Sequence, residues 1–277
     1  MPYNAEISRT NPTCYLFLID QSGSMADPMP DTNRRKADFT SDAINNLVRN
    51  LSLRCARTEG VRDYFHVAVI GYGSNVGSAF GGPLAGKELV PISEIANSPL
   101  RIDERIRKVE DGAGGLVDQN EKFPVWFEPV ASNGTPMCQA FQFAESIVHK
   151  WLSQHPDCFP PTILNITDGE ANDGDPRNMA NSLMQLSSSN GGLLLLNSHI
   201  SSHKAVPTSF PDNREALPDE YARLLFDMSS IMPDKMQVIA KEFGFVTNAN
   251  SRGYVFNADP VTFIQWLEVG TRAANLR

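Results

Sequence analysis

Residues 15–25 read YLFLIDQSGSM, a run of five apolar residues that ends in an acidic, hydroxyl-rich turn. A short run that is apolar at every position is typical of a strand buried on both faces of a parallel sheet. Similar runs recur at residues 65–70, 162–166, 193–197 and 253–256. We therefore predict that these five segments are strands of one sheet.

Segments with helical periodicity lie between the apolar runs. In residues 36–54, for example, Ala43, Leu47 and Leu51 recur at the spacing of one helix face. Further helices are predicted at residues 137–153, 176–187, 219–228, 233–243 and 260–274. The alternation of strands and helices predicts an α/β fold, in which a doubly wound, mainly parallel central sheet is flanked by helices in a Rossmann-like arrangement.

The chain has 277 residues, of which 24 are basic and 32 are acidic, and its formal net charge is −8. This length favours one large domain with insertions over two independent domains. The acidic balance argues against binding to nucleic acid or to an anionic membrane surface, since both need a basic face. No apolar run approaches the roughly 18 residues of a membrane-spanning helix. We therefore expect no nucleic-acid partner and no membrane partner.

Four cysteines, Cys14, Cys55, Cys138 and Cys158, are far apart and show neither a CxxC pair nor the spacing of a zinc site. This distribution is typical of reduced, buried thiols. The first eleven residues lack the basic and apolar regions of a signal peptide. Both features predict a cytoplasmic protein.

Two segments fit the alternation of strands and helices poorly. Residues 71–133 are rich in Gly and Pro, and residues 198–218 contain Pro207, Pro211 and Pro218. Unstructured loops of this length are uncommon in compact domains. We therefore predict that both segments are insertions with local structure or partner contacts.

Asp20, Ser22 and Ser24 form a D-x-S-x-S motif directly after the first predicted strand. Ligands of open α/β sheets bind outside the carboxyl ends of the strands, which is where this motif falls. Taken alone, the motif also fits a solvated turn that leads into a helix.

Two further motifs stand at comparable positions. Residues 132–136, SNGTP, precede the helix predicted at residues 137–153, and Asp168 directly follows the strand predicted at residues 162–166. Thr135 is also a plausible N-cap of that helix, with Pro136 in its first turn. Asp168 alone would be one more turn from a strand into a loop.

Taken together, these motifs match in order the five elements of the metal-ion-dependent adhesion site of von Willebrand factor type A (VWA) domains: Asp20, Ser22, Ser24, Thr135 and Asp168. The chain resembles this family over residues 11–274, as a single domain with insertions at about 71–133 and 198–218. One departure is Asn133, where the family often has Gly, although Asn also tolerates a positive φ angle. The resemblance implies a VWA fold that holds Mg²⁺, or Mn²⁺ in its place, at these five residues.

The chemistry of these side chains suits such an ion, because Mg²⁺ prefers about six hard oxygen ligands. The three hydroxyls are neutral, so the ion stays incompletely neutralised. An Asp or Glu carboxylate from a partner protein can then complete both the coordination and the charge balance. The resemblance therefore implies a metal-dependent, protein-binding adaptor.

Four segments, residues 126–137, 166–175, 193–201 and 224–230, are similar to stand-alone bacterial VWA proteins. Such proteins are often encoded beside a protein kinase and a metal-dependent protein phosphatase, in tellurite-resistance or phage-defence contexts. The similarity implies a role in bacterial signalling, stress response or defence, with a kinase or a phosphatase as the partner. The sequence leaves the partner's identity, the choice between Mg²⁺ and Mn²⁺ and the oligomeric state open.

Two other functions stay open. One is a metal-dependent hydrolase that acts on phosphoesters, because Mg²⁺ beside carboxylates can activate water, and Glu170 is then the best candidate base. The other is a structural assembly protein whose metal only stiffens the loops. The chain has no G-x-S-x-G elbow, and Asp20-Gln21-Ser22 lacks the second Asp of the aspartyl-phosphate D-x-D motif. We therefore expect a binding module with no catalytic residues, and not an enzyme.

Two minor features are interpreted as structural. Glu170, Asp173 and Asp175 crowd the loop after Asp168, and they favour a solvated acidic loop over charge that supports the metal. His199 and His203 lie four residues apart but lack the Glu of a HExxH motif. We predict that these two histidines form a loop pair without a metal.

Overall fold

The structure is a computed structural model that describes residues 3–29, 32–110, 115–202, 205–272 and 276. Its strands are β1 (Thr13–Asp20), β2 (Ala56–Arg57), β3 (Gly60–Val61), β4 (Phe65–Tyr72), β5 (Val76–Ser78), β6 (Val90–Pro91), β7 (Arg101–Glu110), β8 (Leu116–Val125), β9 (Thr162–Thr167), β10 (Ser187–Ser188), β11 (Gly191–Gly192), β12 (Leu194–His199), β13 (Thr208–Ser209) and β14 (Tyr254–Phe256). Its α-helices are α1 (Lys36–Cys55), α2 (Ile92–Asn97), α3 (Met137–Gln154), α4 (Arg177–Gln185), α5 (Glu220–Asp227), α6 (Asp234–Glu242) and α7 (Pro260–Thr271).

The central sheet has the strand order β13-β14-β12-β9-β1-β4-β5, and β6 also pairs with β4. Its five inner strands, β14, β12, β9, β1 and β4, are parallel to their neighbours, while β5, β6 and β13 are antiparallel additions at the edges. Every strand predicted from an apolar run is present, with ends that differ by one or two residues. The predicted α/β fold with a mainly parallel, helix-flanked sheet is confirmed.

Strand β1 shows why its sequence is apolar throughout. Tyr15 and Phe17 point into a core layer that also contains buried residues of α1, α6 and α7. Leu16 and Leu18 point to the opposite layer, which contains buried residues of α3, α4 and α5. Because successive side chains of a strand face opposite sides, a strand covered by helices on both sides needs apolar residues at every position. The four cysteines are buried and free, as predicted.

The helices follow the predicted segments, and their ends differ mainly where another contact takes over. Helix α4 ends at Gln185 because Ser187–Ser188 pairs with Gly191–Gly192 in a short hairpin. Helix α7 ends at Thr271, whereas residue 274, the predicted end, lies outside the described residues. Among the helices of the described ranges, none has both the length and the apolar character needed to cross a bilayer.

Both predicted insertions contain secondary structure. Strand β4 continues to Tyr72, and the segment up to residue 133 then contributes edge strands, α2 and the long antiparallel hairpin β7–β8. In the second segment, the first two residues belong to β12, and Thr208–Ser209 pairs with β14 as an edge strand. The two-residue edge strands were beyond prediction because they are too short to show a period.

Candidate metal centre

The three polar motifs meet at one edge of the sheet. Asp20 is the last residue of β1, and Asp168 directly follows β9, which pairs with β1 in parallel. A cavity of about 450 Å³ opens at this edge and is lined by Ser22, Ser24, Thr135 and Asp168 among others. Asp20 lies beneath it and is fully buried. The five predicted residues are therefore close together, although 148 positions separate the first from the last in sequence (168 − 20).

Asp20 is a buried carboxylate with two local hydrogen-bond donors. Its Oδ1 accepts from the backbone N–H of Ser22 at 2.8 Å, and its Oδ2 accepts from the Thr167 hydroxyl at 2.7 Å. Burial, and then the negative charge of Asp168, raise the pKa of Asp20 to about 6, while the hydrogen bonds act in the opposite direction. A cation placed between these carboxylates would relieve both unfavourable effects.

The hydroxyls of Ser22 and Ser24 lie side by side. Their Oγ atoms are 3.0 Å apart, and the chain between them begins a 3-10 turn over Gly23–Ala26. Ser22 is buried, whereas Ser24 is exposed at the mouth of the cavity. Two neutral oxygens are thus presented beside the charged ones.

Backbone contacts hold the first two loops together. The Gln21 N–H donates to the Tyr72 carbonyl at 2.7 Å, and the Gln21 carbonyl accepts from the Ser132 N–H at 2.7 Å. Gly73 lies against this junction, where a Cβ atom would stand 2.8 Å from the Gln21 carbonyl oxygen and 3.0 Å from that of Ser132. No residue with a side chain fits this position without moving a loop.

Thr135 does not cap helix α3, which corrects the alternative drawn from its sequence position. No side chain at the N-cap position makes a capping hydrogen bond. Instead, the Asp173 carboxylate accepts from the N–H groups of Cys138 and Gln139 at 3.1 and 2.9 Å. Thr135 lines the cavity, and its carbonyl accepts from the Asn172 N–H at 3.0 Å.

The turn before Thr135 needs an unusual backbone. Asn133 has a φ angle of 28° and Gly134 one of 53°, so both lie in the left-handed region. Asn and Gly are the residues that adopt this region at least cost. The tolerance expected of Asn133 is confirmed.

The loop after Asp168 is more than a solvated acidic segment, so that prediction is wrong in part. Asp173 serves as the cap of α3. Glu170 lines the cavity, and its carboxylate raises the pKa of the nearby Tyr221 hydroxyl. Only Asp175 behaves as predicted, being exposed and paired with Arg177 at 3.3 Å.

Lys36, the first residue of α1, is a buried cation beside the site. Its Nζ lies 3.4 Å from Asp168 Oδ2 and donates to the Ser202 hydroxyl at 2.8 Å. Sequence reasoning missed this residue. The sequence did contain one signal for it: Lys36 is a basic residue at the start of a predicted helix, where the positive end of the helix dipole disfavours a cation.

His199 lies at the end of strand β12 and is buried, so its predicted place in a loop is wrong. Its Nε2 lies 3.0 Å from the Asp168 carbonyl oxygen, and burial lowers its pKa to about 4. Gly169 is required beside it, because a Cβ atom there would stand 2.7 Å from this nitrogen. His203, the other member of the predicted pair, lies outside the described residues.

The donor atoms fit a hard divalent cation. Two carboxylates and three hydroxyls are all oxygen ligands of the type that Mg²⁺ and Mn²⁺ accept. Across the described ranges, no group of three or more His, Cys, Asp or Glu side chains is arranged to hold a metal. A metal at this edge would therefore need the hydroxyls as ligands in addition to the two carboxylates.

No family model matches the chain, and no curated protein matches it. Among solved structures, it is similar to the ArnB paralog VWA2 from Sulfolobus acidocaldarius, with 11% identity and a TM-score of 0.36 over 70% of this chain and 36% of that one. It is also similar to the vWF domain of the type V pili tip protein Mfa5 from Porphyromonas gingivalis, with 15% identity and a TM-score of 0.30 over 58% and 39% of the chains. A third similar structure is the PilB minor pilin from Streptococcus sanguinis, with 12% identity and a TM-score of 0.44 over 98% and 62%. The matched part is less than two thirds of each of these proteins, and at these scores neither family nor function follows from them.

Proposed function

We propose that this chain is a VWA-type domain that holds Mg²⁺, or Mn²⁺, at Asp20, Ser22, Ser24, Thr135 and Asp168, and docks a partner protein through an Asp or Glu carboxylate of that partner. The observation that supports this proposal is the convergence of five oxygen-bearing side chains, from three distant loops, around one cavity at the carboxyl edge of the sheet. The sequence motifs of the VWA site fall on the same five positions.

Each residue has a distinct part in this proposal. Asp20 and Asp168 supply the negative charge that attracts the ion, and the three hydroxyls supply neutral oxygens. When bound, the ion would supply positive charge to which a carboxylate of the partner can bind. Since the cavity is open and lined by polar groups, a carboxylate on a protruding partner loop can enter it.

A phosphoester hydrolase is the less favoured function. Its best candidate base, Glu170, is exposed and lies beside Tyr221, whose pKa it raises. Lys36, a cation beside the cavity, contacts Asp168 and Ser202, so it is engaged by the protein itself. Turnover of p-nitrophenyl phosphate with Mn²⁺ that disappears in Asp168→Asn would overturn our preference.

We further propose that the partner belongs to a bacterial signalling, stress-response or defence system, with a protein kinase or phosphatase as its class, and that the protein acts in the cytoplasm. Support comes from the resemblance of residues 126–137, 166–175, 193–201 and 224–230 to bacterial VWA proteins of that setting. The acidic net charge of −8 is consistent with a protein partner and with no nucleic-acid partner.

Pull-down from a lysate with the tagged chain tests adaptor against assembly protein. An adaptor retains its partner in Mg²⁺ and releases it in chelator, and Asp168→Asn retains none in either condition. Asp175→Asn, which removes a charge from the same loop away from the cavity, is the matched control and retains the partner. A partner that stays bound in chelator, while the melting temperature falls, would identify the structural role instead.

A further inference from the structure

Lys36 carries a full positive charge into the base of the candidate centre. Its side chain is completely buried, and its Nζ contacts Asp168 Oδ2 at 3.4 Å and the Ser202 hydroxyl at 2.8 Å. Burying an ammonium group is unfavourable unless an opposite charge compensates it. Asp168 compensates it here, so the ammonium and an incoming metal would share the same carboxylate.

The charges of the site show what this sharing does. Asp20, Asp168 and Lys36 together carry −1, a divalent cation brings the sum to +1, and a partner carboxylate brings it to zero. Without the lysine, the metal alone already gives zero, and a carboxylate leaves −1. Lys36 therefore opposes the metal and favours the carboxylate that follows it.

Among the residues that the structure describes, two other carboxylates face the same cavity, Glu170 and Asp219. Glu170 is exposed and Asp219 is half-buried, so solvent screens them more than it screens Lys36. They add negative charge to every state of the site alike. They therefore do not change the sign of the effect that replacing Lys36 with a neutral residue has on the binding of the metal or of the carboxylate.

We propose that Lys36 is a fixed cation that couples the metal to the partner: it weakens binding of the metal alone and strengthens capture of a carboxylate by the metal-loaded site. The proposal rests on the proposed metal site and deepens it. Lys36 is a positioning residue that acts through charge, and its effect on the two ligands has opposite signs. If Lys36 had only a structural role, replacing it would not strengthen the binding of one ligand and weaken the binding of the other.

The test uses Lys36→Met, which keeps the length of the side chain and removes its charge, beside wild type. Lys150→Met is the control, since Lys150 is an exposed lysine that pairs with Glu88. Calorimetry gives the Mn²⁺ dissociation constant of each protein in sodium chloride and in sodium acetate of equal ionic strength. Acetate is the carboxylate probe, and its weak complex with free Mn²⁺ affects all proteins equally.

We expect Lys36→Met to bind Mn²⁺ about tenfold more tightly than wild type in chloride, because a buried like charge is removed. Acetate should strengthen Mn²⁺ binding by wild type and by Lys150→Met about threefold more than it does for Lys36→Met. If wild type binds Mn²⁺, and Lys36→Met has the same Mn²⁺ affinity or the same response to acetate, the proposed role of Lys36 is overturned while the metal site is retained. No Mn²⁺ binding by any of the proteins would overturn the metal site and this role together.

Lys36→Gln is measured in parallel, because loss of the buried ion pair can affect folding. Circular dichroism shows whether each variant keeps the wild-type fold. If both variants unfold, the lysine is a structural counter-ion of Asp168, and the proposal is overturned.

Discussion

At the scale of single residues, Asp20 is a carboxylate of the candidate centre whose negative charge is unfavourable where it is buried. Strand β1 buries its carboxylate, which disfavours the ionised form, and two hydrogen bonds offset this effect only in part. Its pKa of about 6 reflects that burial and the neighbouring charge of Asp168. A bound cation would relieve this unfavourable charge. Cation binding beside Asp20 would therefore be more favourable than binding beside a well-solvated carboxylate.

Asp20 predicts a measurable pH dependence of the metal-free protein. Because its pKa in the folded chain lies above the ordinary value, the folded state binds this proton more tightly than the unfolded state does. The free energy of unfolding should therefore fall as the pH rises from about 4 to about 6, by about 2 kcal/mol from this group. Urea denaturation in chelator, compared with Asp20→Asn, isolates the contribution.

The same variant separates a ligand from a structural residue. Above pH 7 in chelator, we expect Asp20→Asn to be more stable than wild type by about 1–2 kcal/mol, since a buried charge is gone. Added Mg²⁺ should stabilise wild type alone and narrow or reverse the difference. Equal stabilisation of both proteins by Mg²⁺ would show that Asp20 is not a ligand.

Loss of a carboxylate should weaken metal binding more than loss of a hydroxyl does. Asp168→Asn removes a charge as well as an oxygen, whereas Thr135→Val removes one neutral oxygen and keeps the shape of the side chain. We expect the first change to weaken Mn²⁺ binding at least about tenfold more than the second, as measured by calorimetry. Comparable losses would mean that charge does not govern the site.

At the scale of elements, the loop after β9 ties the candidate centre to helix α3. Asp173 accepts from two N–H groups at the helix start, and the Asn172 N–H donates to the Thr135 carbonyl. The helix therefore begins beside the cavity, with its cap supplied from a loop that follows Asp168. Stability and site geometry depend on the same contacts.

Asp173→Ala should consequently cost stability. Loss of an N-cap typically lowers the free energy of unfolding by about 1 kcal/mol. Asp175→Asn, in the same loop, removes an exposed charge whose ion pair contributes little, while its amide oxygen can still accept from the Arg177 N–H, so it should leave stability nearly unchanged. Urea titrations of the two variants give the comparison, and equal losses would exclude the capping role.

These elements also show where prediction from sequence succeeds and where it ends. The inner strands were predictable because burial on both faces demands apolar residues at every position, as in β1. Asp173 and Lys36 were not, because their partners lie in segments that only the folded chain brings together. Position alone made Thr135 a plausible cap, and the competing carboxylate of Asp173 came from 38 residues further along (173 − 135).

At the scale of the whole molecule, hairpin β7–β8 stands apart from the double-layered core. Its described outer part exposes apolar side chains, with Ile106 at 69% and Leu116 at 65% exposure. Its inner end is attached to the body by Arg105, which pairs with Asp42 at 2.8 Å, and by the buried Phe123. The polar, exposed strands of this ribbon lack the apolar runs that revealed the central sheet.

Replacing residues 106–120 with a short Gly-rich turn should therefore leave the fold and the candidate centre intact. We expect the free energy of unfolding to change by no more than about 1 kcal/mol, since the described side chains removed are largely exposed. The Mn²⁺ affinity should match that of the full chain. A large loss of either quantity would place the outer hairpin in the folding core.

Anomalous diffraction from crystals grown with Mn²⁺ would locate the ion without reference to any assay, and so decides whether this edge of the sheet is a metal centre. We expect a peak in the cavity bounded by Ser22, Ser24, Thr135 and Asp168, above Asp20, and no peak there in crystals of Asp168→Asn. A wild-type crystal with no Mn²⁺ in this cavity would contradict the proposed metal site.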